Sequence, residues 1–193
     1  MRTIVLIVSL IMIGMTGCKS SKQEEKAQQV IENILSRKSV RKYLARPVEP
    51  EKVELILAAG MAAPSGKDMR PWEFVVVDNR EILDAMAEEL PYAKMLKNAP
   101  MAIIVCGDTT KSSYWYVDCS AGTQNILVAV ESLGLGAVWT ATYPYPERME
   151  VVKKHTGIPE HIQSLCVIPV GYPVAPGNPK DKWDPNRIHR NKW

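Results

Sequence analysis

Between Ser36 and Tyr43 the chain reads Ser-Arg-Lys-Ser-Val-Arg-Lys-Tyr, a concentration of cations and hydroxyls. If the segment is extended, successive side chains alternate, so Arg37, Ser39 and Arg41 share one face. Two guanidiniums and a hydroxyl form a donor set that can hold a terminal phosphate through charge-assisted hydrogen bonds. The alternative for the same pattern is a solvated basic turn. Nucleic acid is a poorer match. The formal charge is only +3, or +2 without Arg2, and no basic stripe interleaves with aromatic residues.

A second polar stretch is Ala63-Pro64-Ser65-Gly66-Lys67-Asp68-Met69-Arg70-Pro71-Trp72. Gly66-Lys67 invites a P-loop reading, which fails on three counts. The spacing from Gly60 is one residue too long, Asp68 replaces the Ser or Thr that binds magnesium, and the loop follows a helix rather than a strand. Gly134-Leu135-Gly136 is no dinucleotide fingerprint either, since it runs from helix into strand. His155, His161 and His189 lack ligand spacing, so no metal site is expected. Cys106, Cys119 and Cys166 contain no CxxC and are expected as buried free thiols.

The elements that must position these residues follow from periodicity. The 193 residues, 46% hydrophobic and 23% charged, suit one domain with a sizeable core. Gln23–Ser36 reads as a helix that delivers the chain to the basic cluster. Glu51–Ala62 places Val53, Ile56, Leu57, Gly60 and Met61 on one helix face. Glu73–Val77 is a β-branched strand, Asn79–Glu89 a helix, and Met101–Cys106 a second strand. Tyr114–Leu133 is apolar around most of its circumference and belongs in the core or at a subunit interface. A third strand begins at Ala137, Glu147–His155 is a short helix, and Leu165–Gly171 is the fourth strand. From Tyr172 onward prolines and charges form a tail without its own core, which needs another surface to order it, often a partner subunit. Strands alternating with helices predict an α+β sandwich.

The first residues stand apart. Arg2 precedes an apolar run, Ile4–Met15, too short to span a bilayer, and small residues Thr16 and Gly17 then lead to Cys18. The expectation is a secretory signal over residues 1–17; a buried N-terminal segment is the alternative. Its ending resembles a bacterial lipobox with Met15 in place of the usual leucine. That resemblance implies a lipid-modified Cys18, a polar tether over 18–29, a domain over 30–193, and a protein anchored at a membrane on its periplasmic or extracellular face.

Four motifs, in order, resemble those of the FMN-dependent nitroreductase family: Arg37-Lys38-Ser39-x-Arg41; Pro64-Ser65 ending in Arg70-Pro71-Trp72; Gly134-Leu135-Gly136-Ala137-Val138-Trp139; and Val170-Gly171-Tyr172-Pro173. The resemblance runs from about Ile34 to Trp193. It implies an α+β fold with a central mixed sheet covered by helices, and a homodimer with exchanged C-terminal tails that binds FMN at the subunit interface. Arg37, Lys38, Ser39 and Arg41 would hold the phosphate and ribityl chain. Ser65, Gly66 and Asp68 would come from the other subunit, and Pro64 would also belong to the cofactor site. Trp139, Thr140 and Ala141 would pass backbone groups along the flavin ring, and Lys180 and Lys182 match the family's C-terminal basic pair.

The implied activity is ping-pong reduction of nitroaromatics, quinones or similar acceptors, with NAD(P)H or a membrane-side donor, and with the chemistry on the flavin rather than on a side chain. Trp72, Tyr114, Trp115 and Tyr143 are open to either an acceptor-lining or a core-packing role. Two residues depart from the family pattern: Asp68 and Arg70 stand where Asn and Gln are usual. A carboxylate near the ring should lower the flavin potential unless Arg70 neutralises it. Rivals are a specialised member of the fold, such as a reductive dehalogenase or a flavin-fragmenting enzyme, or a lipid-anchored flavin carrier without turnover. The short span from Asp108 to Tyr114 leaves little room for the lid that such specialised members carry.

Overall fold

A computed structural model describes residues 21–193; the expected signal over 1–17 and Cys18 lie outside the described residues. Residues 21–36 form helix α1 and belong to one compact unit, while 37–193 form another. Helix α1 leaves Val30, Ile31, Ile34 and Leu35 exposed.

The larger unit is built on a five-stranded sheet of β1 (Trp72–Val77), β2 (Met101–Asp108), β3 (Gly136–Ala137), β4 (Thr140–Ala141) and β5 (Ile162–Gly171), in the order β1-β2-β5-β3 with β4 also on β5. All of these pairs are antiparallel. A parallel bridge between Ser39 and Ala137 makes the sheet mixed. Its helices are α2 (Pro50–Met61), α3 (Arg80–Glu89), α4 (Trp115–Ser132) and α5 (Pro146–Thr156).

Alternation along β2 explains the layers. Ile103 and Val105 point into one apolar cluster with Ile56 of α2 and Ile126 and Val130 of α4. Ala102, Ile104 and Cys106 point into the other, with Leu83 and Met86 of α3 and Val152 of α5. Helices therefore cover both faces of the sheet. α2 and α4 cross closely because Gly60 and Gly122 meet there: a Cβ on Gly60 would lie 2.9 Å from Ile126, and one on Gly122 would lie 3.2 Å from the Gly60 carbonyl oxygen. The three described cysteines are free and buried, as expected. Burial pushes the Cys106 and Cys119 thiols up to about 12.

Two departures from the periodicity reading have a clear physical cause. Pro50 starts α2 instead of preceding it, because its missing N–H and fixed φ suit a first helical position. The predicted third strand is split into β3 and β4. The shared register sets Val138 opposite Pro169, which has no N–H to give, and the ladder breaks there. Beyond the split, a bulge in the β2–β5 register leaves the Leu165 carbonyl accepting both the Thr142 and Tyr143 N–H groups. The chain joining β2 to α4 is a short turn, residues 109–114.

Candidate functional site

The basic stretch is extended, the condition on which its shared face depends. The Val40 N–H donates to the Ala137 carbonyl at 2.8 Å, and the Leu44 N–H donates to the Tyr172 carbonyl at 2.8 Å, so residues 39–44 run along β3 and the start of the tail. Tyr43 fastens the segment from below, donating its hydroxyl to the Val40 carbonyl at 2.6 Å. Close approach to β3 requires Gly136, where a Cβ would lie 2.7 Å from Val40. Ser39 and Arg41 are exposed and Arg37 is half-buried. Neither arginine enters an ion pair among the described residues.

Lys38 donates instead to Glu131 of α4 at 2.6 Å. Ser39, Arg41, Lys42, Gly177 and Asn178 line a groove of about 380 Å³ together with the Lys38 stem. Lys180 and Lys182 follow Asn178 in the exposed tail.

The loop after α2 is built differently. Lys67, Asp68 and Arg70 all have positive φ, 52°, 56° and 45°, a conformation that costs non-glycine residues energy and persists only where neighbours over-determine it. Four contacts do so. The Arg70 guanidinium donates to both Asp68 carboxylate oxygens, at 2.7 and 2.6 Å. The Arg70 N–H donates to Ser65 Oγ at 3.0 Å, and the Asp68 N–H to the Ser65 carbonyl at 3.1 Å. The Gly66 N–H donates to Asp118 Oδ1 at 2.9 Å. The paired guanidinium holds the Asp68 carboxyl below its ordinary range.

Asp118 and Glu131 are thirteen residues apart on α4, about 20 Å along the helix axis. One end of α4 carries the strained loop and the other carries the basic strand. Between them in the chain lies the β3–β4 segment: Trp139 is half-buried against the α4-side cluster, Thr140 donates its hydroxyl to the Val167 carbonyl at 2.6 Å, and Ala141 is exposed. Arg148 stacks on the Tyr145 ring at 3.7 Å and donates to the Ala141 carbonyl at 3.4 Å.

Of the aromatic residues left open by sequence, Trp72 and Trp115 are core residues, 8% and 7% exposed. Tyr143 packs edge-on to Trp115 and stacks on Tyr116, whereas Tyr114 is exposed. Among the described residues no group of three or more His, Cys, Asp or Glu could hold a metal ion. His155 instead pairs with Glu89 at 2.7 Å. No described helix is long and apolar enough to cross a membrane.

Sequence reasoning missed Asp118, Glu131 and Ser112, which organise the site without belonging to a motif. A signal existed for Asp118: a carboxylate in the first turn of an otherwise apolar helix must find partners if it is buried, and it is only 6% exposed.

A sheet edge carrying a cationic extended strand, with an ordered loop at the far end of the central helix, suits a protein that holds an elongated anionic cofactor. The comparisons give the class a family. The model of the nitroreductase family matches residues 34–94 and 86–172, and the chain belongs to that family. It is 62% identical to a Bacteroides thetaiotaomicron protein of known structure, provisionally named NADH dehydrogenase/NAD(P)H nitroreductase, with a TM-score of 0.85 over 86% of this chain and 98% of the other. An FMN-dependent nitroreductase from Clostridium difficile is 30% identical with a TM-score of 0.80, over 84% of this chain and 99% of the other. A Methanothermobacter thermautotrophicus protein that bears the same provisional name as the Bacteroides one is 48% identical over 167 residues, 85% of this chain and 87% of its own length.

Proposed function

We propose that this protein is an FMN-dependent oxidoreductase that takes electrons from NAD(P)H or another donor and reduces nitroaromatics, quinones or similar small acceptors in a ping-pong cycle. The observation that carries the reading is the strand 37–41, fixed to β3 and presenting Ser39 and Arg41 along an open groove, in a chain of the nitroreductase family. The residues fit the cofactor. Arg37 and Arg41 offer guanidiniums outside any described ion pair, and Ser39 offers a hydroxyl, which together match a phosphate dianion.

FMN, when bound, supplies two-electron transfer between donor and acceptor. The chain supplies placement and electrostatics. Arg37, Ser39 and Arg41 hold the phosphate, and Lys38 keeps its stem on the groove while its ammonium is tied to Glu131. Lys180 and Lys182 add positive charge from the tail. Pro64, Ser65, Gly66 and Asp68 close on the ring, and Trp139, Thr140 and Ala141 lend it main-chain groups. Relatives named as nitroreductases favour an enzyme over a flavin carrier.

A homodimer accompanies this reading. The basic strand and the loop attach to opposite ends of one α4, about 20 Å apart, so a second copy brings a loop to the strand more readily than the same chain does. Exposed Trp183 and Trp193 in the tail suit burial on that partner. Lipid attachment at Cys18, with the domain on the periplasmic or extracellular face of a membrane, completes the proposal. Mass spectrometry of the N-terminal peptide from native membranes tests that part; an unmodified Met1 would refute it.

The test of function is an absorbance spectrum of protein lacking residues 1–17, then anaerobic titration with NADH and NADPH. Bound FMN that bleaches is the expected result. Bound FMN that stays oxidised assigns the donor to a membrane-side reductant, and absence of flavin after reconstitution overturns the reading.

A further inference from the structure

Asp118 is a buried carboxylate that no motif contains and the reading above does not use. It sits in the first turn of α4, where the helix end favours negative charge. Its Oδ1 accepts the Gly66 N–H at 2.9 Å, and its Oδ2 accepts the Ser112 hydroxyl at 3.2 Å. Ser112 Oγ in turn accepts the Tyr114 N–H at 3.0 Å. One carboxylate thus ties three pieces of chain together: the loop after α2, the β2–α4 turn and the start of α4.

The loop needs such an anchor. Lys67, Asp68 and Arg70 sit in left-handed conformations, and the Asp68–Arg70 pair is itself exposed, with side chains 69% and 66% accessible. Exposed ion pairs contribute little, whereas a hydrogen bond to a buried charge is among the stronger kinds. The contact that fixes the loop to the body of the protein is therefore Gly66 on Asp118.

We propose that Asp118 is the positioning residue of the cofactor site: from beneath the loop it sets Ser65, Gly66 and Asp68 in the conformation that meets FMN. This rests on the reading that the loop contacts FMN. Asp118 does not touch the cofactor; it acts through the Gly66 N–H.

The test uses the protein from Cys18 to Trp193 and four variants: Asp118→Ala, Asp118→Asn, Gly66→Pro, and Asp118→Ala with Gly66→Pro. Asparagine keeps an acceptor for Gly66. Proline at 66 removes the donor at a position that can accept it, since Ser65 at φ −136°, ψ 152° already has the geometry that precedes proline, and position 66 opens a short helical turn. FMN dissociation constants are measured by flavin fluorescence. Gly66 and flanking amide exchange is measured without FMN.

Asp118→Ala and Gly66→Pro are each expected to weaken FMN about tenfold or more. Asp118→Asn, which keeps the acceptor but not the charge, should fall between the parent and Asp118→Ala, and the double variant should be no weaker than the worse single one, because both changes remove the same bond. Faster exchange around residues 65–70 in Asp118→Ala is expected even without FMN. Additive losses, or no recovery with asparagine, would show general damage and overturn the proposal. So would faster exchange with unchanged FMN affinity. If Asp118→Ala does not fold, Gly66→Pro against Asp118→Asn decides: equal affinities overturn the proposal. A parent protein that binds no FMN refutes the functional reading instead, while the exchange measurement still reports whether Asp118 orders the loop.

Discussion

The two ends of α4 hold their candidate segments by opposite means. At the C-terminal end, the basic strand lies in ordinary extended geometry, paired to β3 through backbone bonds, with one ion pair, Lys38–Glu131, tying it to the helix. At the N-terminal end, the loop is strained at three residues and depends on a buried side chain that the loop does not contain. The first arrangement can be built from local sequence and sheet pairing. The second is specified only by tertiary contact. Sites that must present charge to a ligand at low conformational cost suit the first, and sites that must turn backbone groups in an unusual direction suit the second.

The largest effect expected from breaking this comparison is at the strand. Replacing Arg37 and Arg41 together by Ala should weaken FMN about a hundredfold or more, since each removes a charge-assisted partner of the phosphate, while the thermal midpoint changes little. Fluorescence titration checks it. Retained affinity would reduce the segment to a solvated basic turn.

Next come the glycines at the two ends. Gly136→Ala puts a methyl 2.7 Å from Val40, which must move the strand or the sheet edge. A cost of about 1–3 kcal/mol follows, seen as a fall in Tm of roughly 2–10 °C with weaker FMN binding. At Gly66 the nearest atom to an added Cβ is Asp118 Oδ1 at 3.9 Å, and the residue does not have positive φ. Gly66→Ala should change stability by less than about 0.5 kcal/mol. Equal costs at both positions would contradict the description of the strand as the tightly packed end.

A smaller effect separates Asp68 from Arg70. From sequence, Asp68→Asn is expected to raise the flavin potential. The bidentate Arg70 contact neutralises most of the carboxylate's field, so the sharper experiment removes the neutraliser. Arg70→Gln should lower the midpoint by roughly 30 mV, a tenfold change for two electrons, whereas Asp68→Asn raises it by less. Spectroelectrochemistry distinguishes them. An unchanged midpoint in Arg70→Gln would place the pair away from the ring.

The legibility of the two ends in sequence follows the same division. Arg37, Ser39 and Arg41 could be placed on one face because an extended segment has a fixed period of two; in the structure Ser39 and Arg41 line the open groove, while Arg37 is half-buried and does not line it. The helices and sheet layers were equally legible, since burial on α2 and alternation on β2 are periodic. The loop residues could be named by resemblance but not folded in advance. No single residue type at Lys67, Asp68 or Arg70 announces positive φ: it is held by contacts among Ser65, Asp68 and Arg70 and by the Gly66 bond to Asp118, some fifty positions away. The break at Val138 and Trp139 was hidden for a similar cause: it comes from Pro169 on another strand. Lys38 illustrates the limit of motif reasoning, because its partner Glu131 is ninety-three residues distant.

The smallest effect tests how the strand end is braced. Tyr172, where the tail leaves the sheet, donates its hydroxyl to Glu49 at 2.6 Å and accepts from Lys52 at 2.8 Å, while Arg46 lies over its ring at 3.9 Å. Lys52 also reaches the Leu133 carbonyl beyond the end of α4 at 3.4 Å. The Tyr172 hydroxyl, a backbone amide and the Arg46 guanidinium hold the Glu49 carboxyl down at about 2, against about 4.3 in an unfolded chain. A carboxyl lowered on folding adds stability that is fully present above the unfolded value and is lost as pH falls toward the folded one. Glu49→Gln should therefore melt slightly below the parent at pH 6 to 7, with the gap shrinking from about pH 4.5 and closing near pH 2. The effect is small because the carboxylate is substantially exposed. A gap that stays constant across that range would assign the loss to geometry around Tyr172 rather than to the charge on Glu49.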